Sequence, residues 1–241
     1  MTPGTAPRAA IRVASYNVRD LLDDRAAAAR VVRAIDPDLL CLQEVPRRLL
    51  PSRAVARFAV ACGMSWSGGH RGSGGTTIFT SGRVEVLASS HHRLPVRPLV
   101  RRRGYAVTSV ALDPHRTLVA VSVHLSLDPD ERRRHAASLL AALARWPDAS
   151  LAAPQAVVVA GDLNEGPDGG AFQLLAGRYP VVSSGAPSYP SRSPETVIDV
   201  ILASADLDVL PGVDLRLDEA DLMAASDHRP VWVDVTPDAT K

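Results

Sequence analysis

The stretch VVVAGDLNEGP, from Val157 to Pro167, joins an uninterrupted apolar run to a group of polar residues. The run Val157 to Ala160 is typical of a strand that is buried on both faces. Asp162 and Asn164 follow it and lie two residues apart, so in an extended chain their side chains point the same way. The stretch therefore predicts a buried strand that brings a carboxylate and an amide to one edge of a sheet.

Similar apolar or alternating runs recur along the chain, and many are rich in β-branched residues. They predict strands at 11–17, 38–44, 76–80, 83–88, 105–112, 117–125, 156–162, 196–203, 207–210 and 230–235. Helical patterns are fewer, at 24–35, 52–62, 128–145 and 170–176. Because several strands follow one another without a helix between them, we expect an α+β fold in which two sheets pack together with helices outside.

One helix start is marked by the residues Asp128-Pro129-Asp130-Glu131. The sequence combines an acidic N-cap, a proline at the first helical position and a glutamate three residues after the cap. This pattern predicts a capping box in which the Asp128 and Glu131 side chains each accept a backbone N–H.

The composition limits the class of protein. The chain has 241 residues, 46% of them hydrophobic and 22% charged, which is typical of a globular protein. Without a low-complexity linker or a repeat, we expect one domain over 1–241, with its core at about 11–236. The net charge of +1 gives no overall attraction to nucleic acid or membranes.

The cysteine count and the absence of targeting or membrane-spanning segments in the sequence lead to an expected location. Two cysteines, Cys41 and Cys62, do not form a disulfide framework, and Cys41 is expected to be a small buried residue. The start MTPGTAPRAA has no signal-peptide core, and no apolar run has the length of a membrane span. We therefore expect a cytoplasmic monomer without stable membrane association.

Polar residues end or interrupt six of the apolar runs. Each has an ordinary explanation when taken alone, such as a turn, a solvated strand end or a hydrogen-bonded core histidine. Asp199 is the exception, because a carboxylate between Ile198 and Val200 is costly to bury unless it is paired, and a histidine is its natural partner. The residues in question are Asn17, Glu44, His124, Asp162, Asn164, Asp199, Asp227 and His228.

Together these side chains suit the hydrolysis of a phosphate ester. Glu44 and Asp227 offer the hard oxygen ligands that Mg2+ or Mn2+ prefers, and Asn17 and Asp162 are further candidate ligands. Such a cation neutralises phosphate charge and orients the attack. Zinc is less favoured because the set contains no thiolate.

The remaining chemistry can be divided among the same side chains. Asp162 can take a proton from water or help to bind the metal, and Asn17 and Asn164 can hold the water and the phosphate oxygens. His228 is the candidate acid, base or transition-state stabiliser, and Asp199 would orient it, as a carboxylate does in hydrolytic triads. His124 would contact the phosphate or protonate the leaving group.

The motifs also carry a resemblance to a known family. Asn17, LQEV with Glu44, VHL with His124, GDLN, IDVIL and SDHRPV occur in the order found in the endonuclease/exonuclease/phosphatase superfamily, whose fold is deoxyribonuclease-I-like. GDLN and SDHRPV are its more specific motifs. The resemblance implies a four-layer α/β/β/α sandwich, with Glu44 as the main metal ligand. It also implies a catalytic core, made of Asp162, Asn164, Asp199, Asp227 and His228.

Positions where this chain departs from the family pattern indicate which subfamily it resembles. Abasic-site endonucleases of the exonuclease III type carry a tyrosine where this chain has His124, and an acid where it has Arg19, so that branch is disfavoured. His124 is similar to the histidine of deoxyribonuclease I and the sphingomyelinases. Val200 replaces a common aromatic or histidine, which affects substrate packing more than chemistry.

The sequence leaves the substrate open. A phosphodiesterase acting on DNA or RNA is the leading hypothesis, and a sphingomyelinase-like phospholipid phosphodiesterase or a small-molecule phosphatase is the alternative. A binding module without catalysis is least favoured, because every catalytic position holds a competent residue. The clusters Arg101 to Arg103 and Arg132 to Arg134 are consistent with solvated surface or with phosphate contacts.

Overall fold

The computed structural model describes residues 10–47, 50–70, 72–98, 100–113, 115–146, 155–210 and 215–237. Residues 1–9, where the sequence predicts no signal peptide, lie outside these ranges. The strands are β1 Ile11–Asn17, β2 Leu39–Gln43, β3 Ser65–Trp66, β4 Thr77–Thr80, β5 Val86–Leu94, β6 Arg103–Asp113, β7 Arg116–His124, β8 Gln155–Asp162, β9 Asp199–Ala203, β10 Leu207–Leu210 and β11 Val231–Pro237. The helices are α1 Arg25–Ile35, α2 Pro51–Cys62, α3 Pro129–Leu143, α4 Gly170–Ala176 and α5 Glu219–Ala225.

The strands form two sheets, which confirms the predicted architecture. The first sheet has the order β10-β11-β1-β2-β4-β3, and the second has the order β5-β6-β7-β8-β9. Each sheet contains one parallel pair, β1 with β2 and β7 with β8, and its other pairs are antiparallel. Both sheets are therefore mainly antiparallel, as expected.

Three apolar clusters separate four layers. Small and branched aliphatic side chains fill the space between the sheets, among them Val13, Cys41, Leu118, Val158 and Ile201. A second cluster packs α1, α2 and α5 against the outer face of the first sheet, and a third packs α3 and α4 against the outer face of the second. The order is helices, sheet, sheet, helices, because each sheet has two apolar faces to bury.

Helix α1 shows how local sequence and packing agree. Its N-cap Asp24 accepts hydrogen bonds from the backbone N–H groups of Ala26 and Ala27, at 2.8 and 3.0 Å. Val31, Val32 and Ile35 are buried on one side of the helix. The chain leaves the helix at Asp36, in the left-handed conformation.

The predicted capping box of α3 is only half correct. The Asp128 carboxylate accepts the backbone N–H of Glu131 at 2.9 Å, as expected. The Glu131 carboxylate does not return to Asp128. It accepts from the Ser126 hydroxyl at 2.7 Å and from the backbone N–H of Arg97 at 2.8 Å. Tertiary partners replace the local one, so Glu131 ties the helix start to the loop after β5.

Two elements differ from the sequence prediction. The strand expected at 83–88 instead runs as β5 from Val86 to Leu94, because the polar stretch around His91 and His92 pairs with β6 at the edge of the second sheet. Helix α5 was not predicted. It is short and is capped by Asp218, whose carboxylate accepts the backbone N–H of Asp221 at 3.0 Å.

Candidate active site

The strand order brings the predicted polar residues to one end of the sandwich. The strands of both parallel pairs end here. Strand β1 ends at Asn17, and Glu44 directly follows β2. Strands β7 and β8 end at His124 and Asp162. Strand β9 is antiparallel to β8 and therefore begins at the same end, with Asp199 beside Asp162. Strand β11 begins there too, preceded by His228.

Asp162 is at the centre of the site and is buried. Its Oδ2 accepts a hydrogen bond from Asn17 Nδ2 at 2.9 Å, which joins the two sheets. The same oxygen lies 3.4 Å from His124 Nε2 and 3.9 Å from His228 Nε2. Its Oδ1 accepts the backbone N–H of Asn164 at 2.8 Å, so the GDLN turn fixes the carboxylate.

His228 is held by a buried carboxylate. Its Nδ1 lies 2.8 Å from Asp199 Oδ2, and that oxygen also accepts a hydrogen bond from the Ser188 hydroxyl at 2.6 Å. The Ser226 hydroxyl donates to the Asn17 carbonyl at 2.7 Å and fastens the preceding loop to β1. With Nδ1 directed at Asp199, His228 presents Nε2 to the centre of the site.

His124 has a cationic neighbour. Arg103 is buried at the start of β6, and its NH1 lies 2.9 Å from Nδ1 and 2.8 Å from Nε2 of His124. A guanidinium can only donate, so the histidine nitrogen that it bonds acts as the acceptor. Burial, reinforced by the charge of Arg103, lowers the pKa of His124 well below 6.5. His124 is therefore a neutral imidazole at physiological pH.

Two candidate metal ligands lie nearer to solvent, and each has an arginine partner. Glu44 Oε2 is 3.1 Å from Arg101 NH1, and its Oε1 is 3.9 Å from His124 Nε2. Asp227 Oδ2 is 3.4 Å from Arg19 Nε. The side chains of Glu44 and Asp227 are 15% and 34% exposed, so both can be reached from outside.

Asn164 takes a more structural position than its neighbours. Its side-chain amide donates to the Leu125 carbonyl at 3.0 Å, across the ends of β7 and β8. Its backbone is in the left-handed region, with φ of 54°, where asparagine is more readily accommodated than most residues. The amide thereby helps to hold the turn that aims Asp162.

The two central groups carry opposed pKa shifts. Burial, together with the negative charge of Asp199, raises the pKa of Asp162 to about 7. Burial is the largest influence on His228 and acts to lower its pKa, but the charge and hydrogen bond of Asp199, with the charges of Asp162 and Asp227, outweigh it and raise the pKa to about 9. Near pH 8 the site thus combines a carboxylate with an imidazolium, a division typical of catalytic pairs.

The donor set fits a hard cation at the solvent side of the site. Among the described residues, Asp162, Asp199 and His228 have ligand atoms within 4.8 Å of one another. His228 is unsuitable as a ligand, however, because a protonated imidazole has no free nitrogen lone pair. The accessible carboxylate oxygens of Glu44 and Asp227, with Asp162 behind them, are the chemistry that Mg2+ prefers.

Three groups at the site escape a sequence-based search. Arg103 belongs to an arginine cluster that resembles a solvated loop, but only Arg101 and Arg102 of that cluster are exposed. Ser188 carries no distinguishing neighbour in the sequence. The Tyr189 ring lies 4.9 Å from the His228 ring, between centroids, and is 38% exposed. The strand predicted at 105–112 is the nearest sequence signal, and β6 begins two residues before it, at Arg103.

Comparison with known proteins agrees with this geometry. A family model described as the Endonuclease/Exonuclease/phosphatase family matches residues 14–228. No curated protein matches the chain.

Several solved structures share the fold. A functionally unknown conserved protein from Enterococcus faecalis V583 is 17% identical with a TM-score of 0.74, covering 94% of this chain and 100% of that one. The human Nocturnin catalytic domain with bound sulfate is 19% identical with a TM-score of 0.68, and 95% of each chain is covered. The mannosyl-6-phosphatase of Bacteroides thetaiotaomicron VPI-5482 is 17% identical with a TM-score of 0.68, covering 94% of this chain and 99% of that one. At these identities the likeness shows the fold alone. The family match over most of the chain, on the fold just described, establishes that this protein belongs to the endonuclease/exonuclease/phosphatase family.

Proposed function

We propose that this chain is a Mg2+-dependent phosphoester hydrolase whose leading substrates are the phosphodiesters of nucleic acids. The observation that carries the proposal is the chain of contacts from Asn17 through Asp162 to His228 and Asp199. It joins an amide donor, a carboxylate of raised pKa and a cationic imidazole at one end of two packed sheets. These are the groups needed to orient water, accept its proton and stabilise a charged phosphorus centre.

The proposed roles follow from protonation. Asp162 accepts the proton of the attacking water, because a pKa of about 7 lets it be deprotonated near neutral pH and still bind a proton. His228 remains protonated, so its Nε2–H stabilises the negative charge that develops on the phosphate oxygens. Asn17 Nδ2, which already donates to Asp162, holds that carboxylate in position. His124 is neutral and donates or accepts a hydrogen bond at the phosphate.

A bound Mg2+ would be held by Glu44 and Asp227, with Asp162 and the Asn17 amide oxygen as further ligands. Such a cation neutralises phosphate charge and stabilises the leaving oxygen. Glu44 and Asp227 form ion pairs with Arg101 and Arg19. When a cation binds these carboxylates, the two guanidinium groups become free to bind the substrate phosphates. Mn2+ is the expected substitute.

The alternative is a phosphatase or a phospholipid phosphodiesterase. One structural neighbour is named a mannosyl-6-phosphatase, so the fold accommodates a phosphomonoester. No helix in the described part of the chain is both long enough and apolar enough to cross a membrane. The fold alone does not choose between these substrates.

Two small chromogenic esters test the proposal. We expect Mg2+-dependent release of nitrophenol from bis(p-nitrophenyl) phosphate, with slower release from p-nitrophenyl phosphate, and loss of both in EDTA. Asp162→Asn should lower turnover by about 10²- to 10⁴-fold, the usual contribution of a positioned base. Asp130→Asn, the same change at an exposed site on α3, is the matched control.

Three results of these assays would contradict the proposal or part of it. Faster turnover of the monoester than of the diester would favour the phosphatase. Normal turnover by a folded Asp162→Asn protein would overturn the role of Asp162, and no turnover of either ester by the Mg2+-loaded protein would overturn the proposed function.

A further inference from the structure

A concave surface beside the site is lined by an unusual number of arginines. It encloses about 1740 Å³ between the start of α1, helix α2 and the loop before β6. Asp20 is the one acidic residue in its lining within the described ranges. The arginines are Arg25, Arg47, Arg53, Arg57, Arg101 and Arg102. We call this surface the arginine groove.

Half of these arginines have no partner in the described part of the chain. No hydrogen bond or ion pair joins the side chains of Arg53, Arg57 or Arg102 to another described side chain. Arg53 and Arg57 are four residues apart on α2 and so lie on the same side of the helix. Like charges at this spacing destabilise a helix slightly. A chain with a net charge of +1 therefore concentrates uncompensated positive charge here.

Other members of the lining are fixed in place. Arg47 NH1 donates to the Gly74 carbonyl at 3.0 Å, and Arg25 Nε donates to the Leu21 carbonyl at 2.8 Å. Phe58, on α2, is almost fully buried and supports the groove from below. The Leu21 carbonyl leaves the charge of the Arg25 guanidinium uncompensated, so Arg25 also remains available to an anion.

The arginine groove continues into the candidate active site through Arg101. Its NH2 lies 2.6 Å from Asp20 Oδ2, and its NH1 lies 3.1 Å from Glu44 Oε2. Glu44 is a proposed metal ligand. A phosphate bound at that metal would therefore lie next to the positive charges of the arginine groove. The contiguity of the two surfaces points to one extended ligand rather than to two separate ones.

We propose that the arginine groove binds the phosphate backbone of the nucleic-acid strand that flanks the scissile phosphate. This inference rests on the proposed function and names the surface that would hold the rest of its substrate. A groove that encloses about 1740 Å³ suits a nucleic-acid strand better than a bilayer, because a bilayer presents a flat surface. Leu22 and Leu50 are exposed at the rim, at 73% and 66%, and offer apolar contact to sugars and bases.

Binding without turnover provides the test. Anisotropy of a fluorescent DNA duplex is measured in EDTA at several salt concentrations, for the wild type and for Arg53→Ala/Arg57→Ala. Each phosphate contact adds about 0.9 to the slope of log K against log salt, so the double variant should lose about 1.8 of that slope. Its Kd should rise more than about tenfold at about 0.1 M salt.

A matched control removes the same charge elsewhere. Arg134→Ala/Arg178→Ala lies in the layer of α3 and α4, on the other face of the sandwich, and should keep wild-type binding and slope. Equal losses in both double variants would overturn the proposal, because the effect would then come from net charge. Binding of phosphatidylserine vesicles that depends on Arg53 and Arg57, without DNA binding, would overturn it in favour of a membrane surface.

Turnover of bis(p-nitrophenyl) phosphate by the wild type separates the two proposals. Turnover without DNA binding overturns the groove and leaves the hydrolase standing. DNA binding through Arg53 and Arg57 without turnover of the diester overturns the hydrolase and leaves the groove standing.

Discussion

The pairing of His228 with Asp199 leads to a quantitative prediction for Asp199→Asn. The asparagine keeps the size of the side chain and can still accept the Ser188 hydrogen bond, but it removes the negative charge 2.8 Å from His228 Nδ1. Burial is then opposed only by the charges of Asp162 and Asp227, so the pKa of the imidazole falls from about 9 toward its ordinary value of 6.5. The difference corresponds to about 3.4 kcal/mol, at about 1.36 kcal/mol per pH unit.

The expected loss of activity follows from the protonated fraction. At pH 8, a histidine of pKa about 9 is about nine-tenths protonated, while one of pKa 6.5 is about 3% protonated. If the cation is the active form, turnover at pH 8 falls by up to about 30-fold, and above pH 9 the ratio of wild type to variant approaches about 300-fold.

The assay is turnover of bis(p-nitrophenyl) phosphate with Mg2+ from pH 6 to pH 10, alongside thermal unfolding to establish that the variant is folded. Histidine NMR of the same protein gives the pKa of His228 directly. A folded Asp199→Asn enzyme within about threefold of wild type at pH 8, with an unmoved alkaline limb, would refute the reasoning.

Three further outcomes are expected. The wild-type pH profile of kcat/KM should rise as Asp162 loses its proton near pH 7 and fall as His228 loses its proton near pH 9, with Mg2+ moving the acid limb lower; a profile flat from pH 6 to pH 10 would contradict this. Asp234→Asn should lower the free energy of unfolding by about 3–5 kcal/mol, because it leaves the buried Arg12 guanidinium, now 2.7 Å from Asp234 Oδ1, without its counter-charge; urea denaturation measures this, and a loss under about 1 kcal/mol would show that the pair is dispensable. Leu139→Ala, in a fully buried position on α3, should cost about 2–5 kcal/mol in the same assay, and a loss below about 1 kcal/mol would show that the outer layer packs loosely.

Strand ends were the most predictable part of the molecule. The pattern of an apolar run followed by a polar residue identified the ends of β1, β7 and β8, and hence Asn17, His124 and Asp162. Helix α4 and strand β10 have the predicted bounds. In these segments the local sequence and the tertiary packing agree, so periodicity alone is sufficient.

Other features depend on partners that are distant in sequence. Glu131 looks like half of a capping box, but it bonds Ser126 and Arg97 instead of its own helix start. Arg103 looks like a surface charge and is buried against His124, because the β6–β7 register brings the two together. Strand β5 is polar and exposed over much of its length, so the hydrophobic pattern that reveals a strand is weak there.

The arginine groove illustrates the same limit. Arg53 and Arg57 are visible in the sequence as an i, i+4 pair on a predicted helix, but nothing local joins them to Arg101, which comes more than forty residues later. Only the packing of α1, α2 and the loop before β6 places them on one surface. Charge clusters assembled from separate segments are invisible to a reading of local patterns.

The central claim is metal-dependent cleavage of phosphodiesters at the site of Asp162 and His228. Its most direct test is the nicking of supercoiled plasmid with Mg2+ or with chelator, for the wild type and for His228→Ala. We predict nicking that requires Mg2+ and that falls by about 10²-fold or more in the variant. No nicking by folded, Mg2+-loaded wild type, or equal nicking by the two proteins, would contradict the account.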